Sequence, residues 1–102
     1  MPIPQLDLEA ALRKTVLLYN KMKSPQAVAR IVQAVPEMVI ISFTGPFCYE
    51  CGDVQKYVDD FAKDFKVFID YAELIHGKTR ETTPHSVEVS YVVKPRLKTH
   101  GP

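Results

Sequence analysis

Six consecutive residues, Met38, Val39, Ile40, Ile41, Ser42 and Phe43, form a nearly unbroken apolar run. The run is too short for a helix and too apolar for a strand with one wet face. It therefore predicts a strand buried inside a sheet. Thr44, Gly45 and Pro46 break it, and a helical period follows: Val54, Tyr57, Val58, Phe61 and Phe65, with Asp59, Asp60, Lys63 and Asp64 opposite. That spacing predicts an amphipathic helix over residues 49–64. Residues 66–71, with Val67, Phe68 and Ile69 at their centre, read as a second strand. A strand–helix–strand unit calls for parallel strands and a right-handed crossover. The chain is thus expected to be an α/β protein.

Flanking segments extend this unit. Leu8, Leu12, Val16, Tyr19 and Met22 recur at helical spacing, and Asp7, Glu9, Lys21 and Lys23 suit the dipole of a helix over residues 6–22. The competing reading is a short strand at 15–20. Ser24 followed by Pro25 reads as a helix start, and Ala27, Ile31 and Ala34 carry that helix to about residue 35, where Pro36 stops it. Residues 77–83 read as a polar loop. Val87, Val89, Tyr91 and Val93 alternate with Ser86, Glu88 and Ser90, so residues 86–93 form a strand with one solvated face. Residues 1–5 and 96–102 are expected to be flexible ends of a single domain spanning 1–102.

Composition narrows the function classes. Hydrophobic residues make up 46% of the chain, enough for a core without staples, and the net charge is +1. That balance gives no support for nucleic-acid binding. Charge is uneven along the chain: residues 1–35 carry five basic and two acidic side chains, +3. Residues 36–77 carry three basic and eight acidic, −5, and residues 78–102 carry five basic and two acidic, +3. No apolar stretch approaches the ~18 residues of a membrane span, and the start lacks a secretory pattern. The expectation is a cytoplasmic protein. In a reducing compartment a close cysteine pair is more often catalytic, redox-sensing or metal-binding than structural.

Such a pair stands at Cys48 and Cys51, between the buried strand and the amphipathic helix. A helix N-terminus carries partial positive charge and free N–H groups, which stabilise a thiolate. Cys48 is the candidate attacking thiolate and Cys51 the candidate resolving thiol. Glu50 works against strong activation, because a neighbouring carboxylate disfavours the thiolate.

The run Phe43, Thr44, Gly45, Pro46, Phe47, Cys48, the helix after it and Thr83-Pro84 before the last strand resemble the thioredoxin-like superfamily over roughly residues 24–94. The resemblance implies a three-layer fold, here shortened at the C-terminus and preceded by an extra N-terminal helix. It implies a thiol–disulfide oxidoreductase whose working group is the dithiol itself, with no other cofactor. Phe47, Tyr49, Thr83 and Pro84 would contact a protein or small-molecule disulfide, with Pro84 at the family's cis-proline position. The departures are Tyr49 and Glu50 between the cysteines, Ser42 where many members hold a buried acid, and Lys56 at the helix-proline position. The shortened C-terminus would leave strand 86–93 as a sheet edge, open to a homodimer.

Two other readings stand beside this one. The chain could be a non-catalytic interaction module whose cysteines are incidental or regulatory. A metal or cluster is the weakest reading: two further ligands are needed, and His76, His85 and His100 lack the usual close spacing.

Overall fold

A computed structural model describes residues 3–46 and 53–95. The order is α1 (Gln5–Lys23), β1 (Val28–Val35), β2 (Met38–Thr44), α2 (Asp53–Phe68), β3 (Ala72–Thr83) and β4 (Ser86–Pro95). The strands form one sheet in the order β1-β2-β4-β3, and every neighbouring pair is antiparallel. Over its described residues the chain is a small α/β protein with a four-stranded antiparallel sheet and two helices.

Both helices lie on one face of the sheet. Leu8, Leu12 and Tyr19 of α1 and Val58, Phe61 and Phe65 of α2 are buried against Val39, Ile41 and Phe43 of β2 and Val87, Val89 and Tyr91 of β4. The alternation of strand side chains sends every second residue of the central strands into this core. Phe61 sits at its centre, with ring centroids 5.4 Å from Tyr19, 5.6 Å from Phe43 and 5.9 Å from Tyr91. Two tyrosine hydroxyls reach α2, one from α1 and one from β4. Tyr19 donates to the carbonyl of Tyr57 at 3.1 Å, and Tyr91 donates to that of Val58 at 2.8 Å. Burial raises the pKa of both phenols far above the ordinary tyrosine value.

Several expectations need correction. Residues 28–35 are strand, not helix. Their β-branched Val28, Ile31, Val32 and Val35 suit a sheet, and Pro36-Glu37 is the turn of a hairpin that pairs Val35 with Met38. Ser24 closes α1 instead of opening a helix, its N–H bonding the carbonyl of Asn20 at 2.9 Å. Residues 66–68 continue α2, and the polar stretch 77–83 belongs to β3. As an edge strand, β3 needs no apolar outer side. β2 and β3 do run parallel, since both oppose β4, but β4 lies between them. Strand 86–93 is therefore central, with neighbours on both sides, and cannot be the dimerisation edge. The described residues form two layers where the resemblance implied three.

Candidate functional site

Phe47, Cys48, Tyr49 and Cys51 lie outside the described residues. The structure defines what flanks them: β2 ends at Thr44, Gly45 and Pro46 continue, and the 16-residue α2 opens at Asp53. The strand end is held from two sides. The Gly45 N–H donates to the His85 carbonyl at 3.0 Å, and Thr44 Oγ1 lies 3.0 Å from Ser86 Oγ. On the other side, a Cβ on Gly45 would collide with the carbonyl oxygen of Gln26. Any side chain there would drive β2 away from the turn between α1 and β1.

The same end of the sheet carries the β3–β4 turn. Thr83 closes β3, and its Oγ1 accepts the His85 N–H at 3.3 Å. Thr82 Oγ1 donates to the Ser86 carbonyl at 3.2 Å. Pro84 and His85 form the exposed two-residue tip. Thr83 and Pro84 thus stand beside the strand end from which the cysteine segment continues. The cis peptide bond among the described residues is Ser24–Pro25, not the bond before Pro84. The cis-proline implied by the resemblance is not at that position.

Other polar side chains are engaged elsewhere. His76 bonds Thr79 Oγ1 at 2.8 Å and leans on the Tyr91 ring at 6.2 Å, inside a bulge of β3. Lys23 at the end of α1 pairs with Asp60 of α2 at 2.7 Å. The Asp60 hydrogen bond raises the pKa of Lys23, and burial, then Asp60, raises that of Asp64. Among the described residues no group of three or more His, Asp, Glu or Cys side chains gathers as a metal ion would require.

Two shallow grooves lie on the surface. One, of about 230 Å³, lies between α1 and the α2–β3 turn, where Tyr71 Oη donates to Asp7 at 3.0 Å. The other, of about 250 Å³, lies on the helix-free face over Ile40, rimmed by Lys78, Arg80, Glu88 and Ser90. Arg80 is paired with Glu88 at 2.8 Å, and Ser90 Oγ accepts the Lys78 N–H at 2.9 Å. In the second groove Glu88 is thus engaged by Arg80 and Ser90 by the Lys78 backbone, not by each other. No helix of the described residues is long and apolar enough to cross a membrane.

No protein-family model, curated protein or solved structure matches the chain. Any functional reading therefore rests on its residues.

Sequence reasoning missed two side chains that govern the sheet, Asn20 and Gln5 of α1. Asn20 Nδ2 donates to the Ala29 carbonyl at 3.1 Å, and its Oδ1 accepts the Ala29 N–H at 2.7 Å. Gln5 Nε2 donates to the carbonyl of Ala34. The only sequence signal is a pair of amides on a helix that directly precedes a strand.

Proposed function

We propose that the chain is a thiol–disulfide oxidoreductase working through Cys48 and Cys51. The observation that supports this is the position of the pair in the chain, between the end of buried strand β2 and the start of α2. A short segment leading into a 16-residue helix is where backbone N–H groups and the helix dipole favour a thiolate. The thioredoxin-like part of this reading is local: buried strand, Cys-x-x-Cys, amphipathic helix. Phe47, Tyr49, Thr83 and Pro84 are its proposed substrate contacts.

The electron balance is closed by the dithiol. The Cys48 thiolate attacks one sulfur of a substrate disulfide, forming a mixed disulfide and releasing the other sulfur as a thiolate. Cys51, deprotonated, attacks Cys48 Sγ and expels the second substrate thiolate. The substrate gains two electrons, and the protein leaves with a Cys48–Cys51 disulfide. A reducing, cytoplasmic setting would regenerate the dithiol.

The test equilibrates the protein across glutathione and dithiothreitol buffers and reads the oxidised fraction by mass after alkylation. A reversible two-electron transition at roughly −200 to −300 mV is expected, and Cys48→Ser should abolish it. A pair that never forms a disulfide, or never reduces, ends the redox reading.

One observation favours a second reading, an interaction module. The helix-free face exposes Val35, Met38, Val92 and Ile75 at one end of the sheet. Thiol reactivity at neutral pH separates the two, since the enzyme needs one fast thiol and the module needs none.

A further inference from the structure

The edge of β1 has an unusual relation to its own sequence. Residues 28–35 read nearly the same in both directions: Val28 matches Val35, Ala29 matches Ala34, Arg30 matches Gln33 and Ile31 matches Val32. Two copies of such a strand can pair antiparallel about a two-fold axis with like opposite like. Arg30 would then face Gln33 of the second copy and never its own equivalent, so no like charges meet directly.

The observed bulge makes this register work. A register shift between Ile31 and Gln33 resets the alternation halfway along the strand. Ala29 and Ala34 therefore both turn toward the helices, Ala29 buried and Ala34 half-buried, while Val28 and Val35 both turn to the open face. Residues directly opposite in a two-fold pairing must share a face; the Val28–Val35, Ala29–Ala34 and Arg30–Gln33 pairs do, while at the centre Ile31 packs on the core and the bulge residue Val32 is exposed.

Three of the backbone groups that such pairing needs are already taken. The N–H and C=O of Ala29 both bond the Asn20 side chain, which imitates the hydrogen-bonding partner of a neighbouring strand. The Ala34 carbonyl bonds Gln5. Ala29 and Ala34 are each other's partners in the symmetric register, so α1 occupies the very groups a second copy would use. By contrast the other edge, β3, carries four charged side chains, Glu73, Lys78, Arg80 and Glu81, where β1 carries one, Arg30. β1 has no acid, no lysine and no proline.

The geometry points to a latent self-association surface: the edge of β1 pairs with β1 of a second copy, and Asn20 and Gln5 hold it closed. Asn20→Ala with Gln5→Ala opens it. Sedimentation equilibrium should show the wild-type chain less associated, and the double variant dimerising at least about tenfold more tightly. Adding Val32→Lys, a charge at the two-fold axis on an exposed position, should return the double variant to the wild-type value. Should the double variant not fold, Asn20→Asp keeps the acceptor for the Ala29 N–H and loses the donor, and intermediate association is expected. A labelled peptide of residues 28–35 with a terminal lysine pair gives an independent reading: it binds the opened protein and not the wild type. Folded opened variants that neither associate nor bind the peptide overturn the proposal. So does association that Val32→Lys leaves unchanged, and so does equal peptide binding by the wild type.

Discussion

The two faces of the sheet are built from alternate residues of the same four strands, yet they obey different rules. The helix-covered face holds Val39, Ile41, Phe43, Val87, Val89 and Tyr91, all at or near zero exposure. The open face runs in transverse rows. One is polar, with Arg30 opposite Ser42, Ser42 opposite Glu88, and Glu88 opposite Arg80. Another is apolar: Val35 pairs with Met38, Val92 pairs with Ile75, and these four side chains remain 36 to 49% exposed. Apolar character therefore does not by itself say which face of a strand carries the fold. What separates the faces is whether a helix covers them, and only the covered side chains gain the full transfer and packing energy.

Substitutions can break this contrast where it is strongest. Phe61→Ala removes the ring touched by Tyr19, Phe43 and Tyr91, and urea denaturation should show a loss of about 3–5 kcal/mol. A loss near 1 kcal/mol would mean that the covered face is loosely packed.

A smaller effect is expected at the phenols. Tyr91→Phe keeps the ring and removes the donor to the Val58 carbonyl, at a cost of about 1 kcal/mol at neutral pH. Its pH dependence sharpens the comparison. The folded state holds the Tyr91 proton more tightly than the unfolded chain, so the folded protein binds more protons above the unfolded value of about 10. That contribution is complete below this pH and is lost as pH rises above it. Tyr91→Phe should therefore show a shallower alkaline fall in stability than the wild type, Tyr19 supplying the remainder. Parallel alkaline curves would argue that the Tyr91 hydroxyl is not buried.

The smallest effect belongs to the open face. Val92→Thr should change stability by no more than about 0.5 kcal/mol. A loss above 1 kcal/mol in the isolated chain would show that something covers this face, and concentration dependence of the loss would identify it as a second copy.

Elements whose signal is local were legible in the sequence. The helical spacing of Leu8, Leu12 and Tyr19 gave α1, the apolar run at 38–43 gave β2, the period from Val54 to Phe65 gave α2, and the alternation from Ser86 gave β4. β1 was misread because Ala27, Ile31 and Ala34 also fit a helical period, and Ser24-Pro25 imitates a helix start. Its strand character depends on β2, which lies across the Pro36-Glu37 turn and supplies its hydrogen bonds. β3 was hidden for a related reason: residues 77–83 are polar because they lie on an edge, and edges are defined only once the whole sheet exists. At the candidate site Cys48, Cys51, Thr83 and Pro84 were visible as residues, whereas the bond from Gly45 to the His85 carbonyl joins segments forty positions apart.

The sequence alone determined α1, the body of α2, the buried strand, the one-wet-face strand and the place of the cysteine pair between a strand and a helix, because each is written in nearest-neighbour spacing and backbone preference. Tertiary structure decided the strand order, the single helix layer, which strand is central, and the closing of the β1 edge by Asn20 and Gln5. Those depend on which surfaces meet and which backbone groups are left for a side chain to satisfy, and such facts arise only when distant segments pack together.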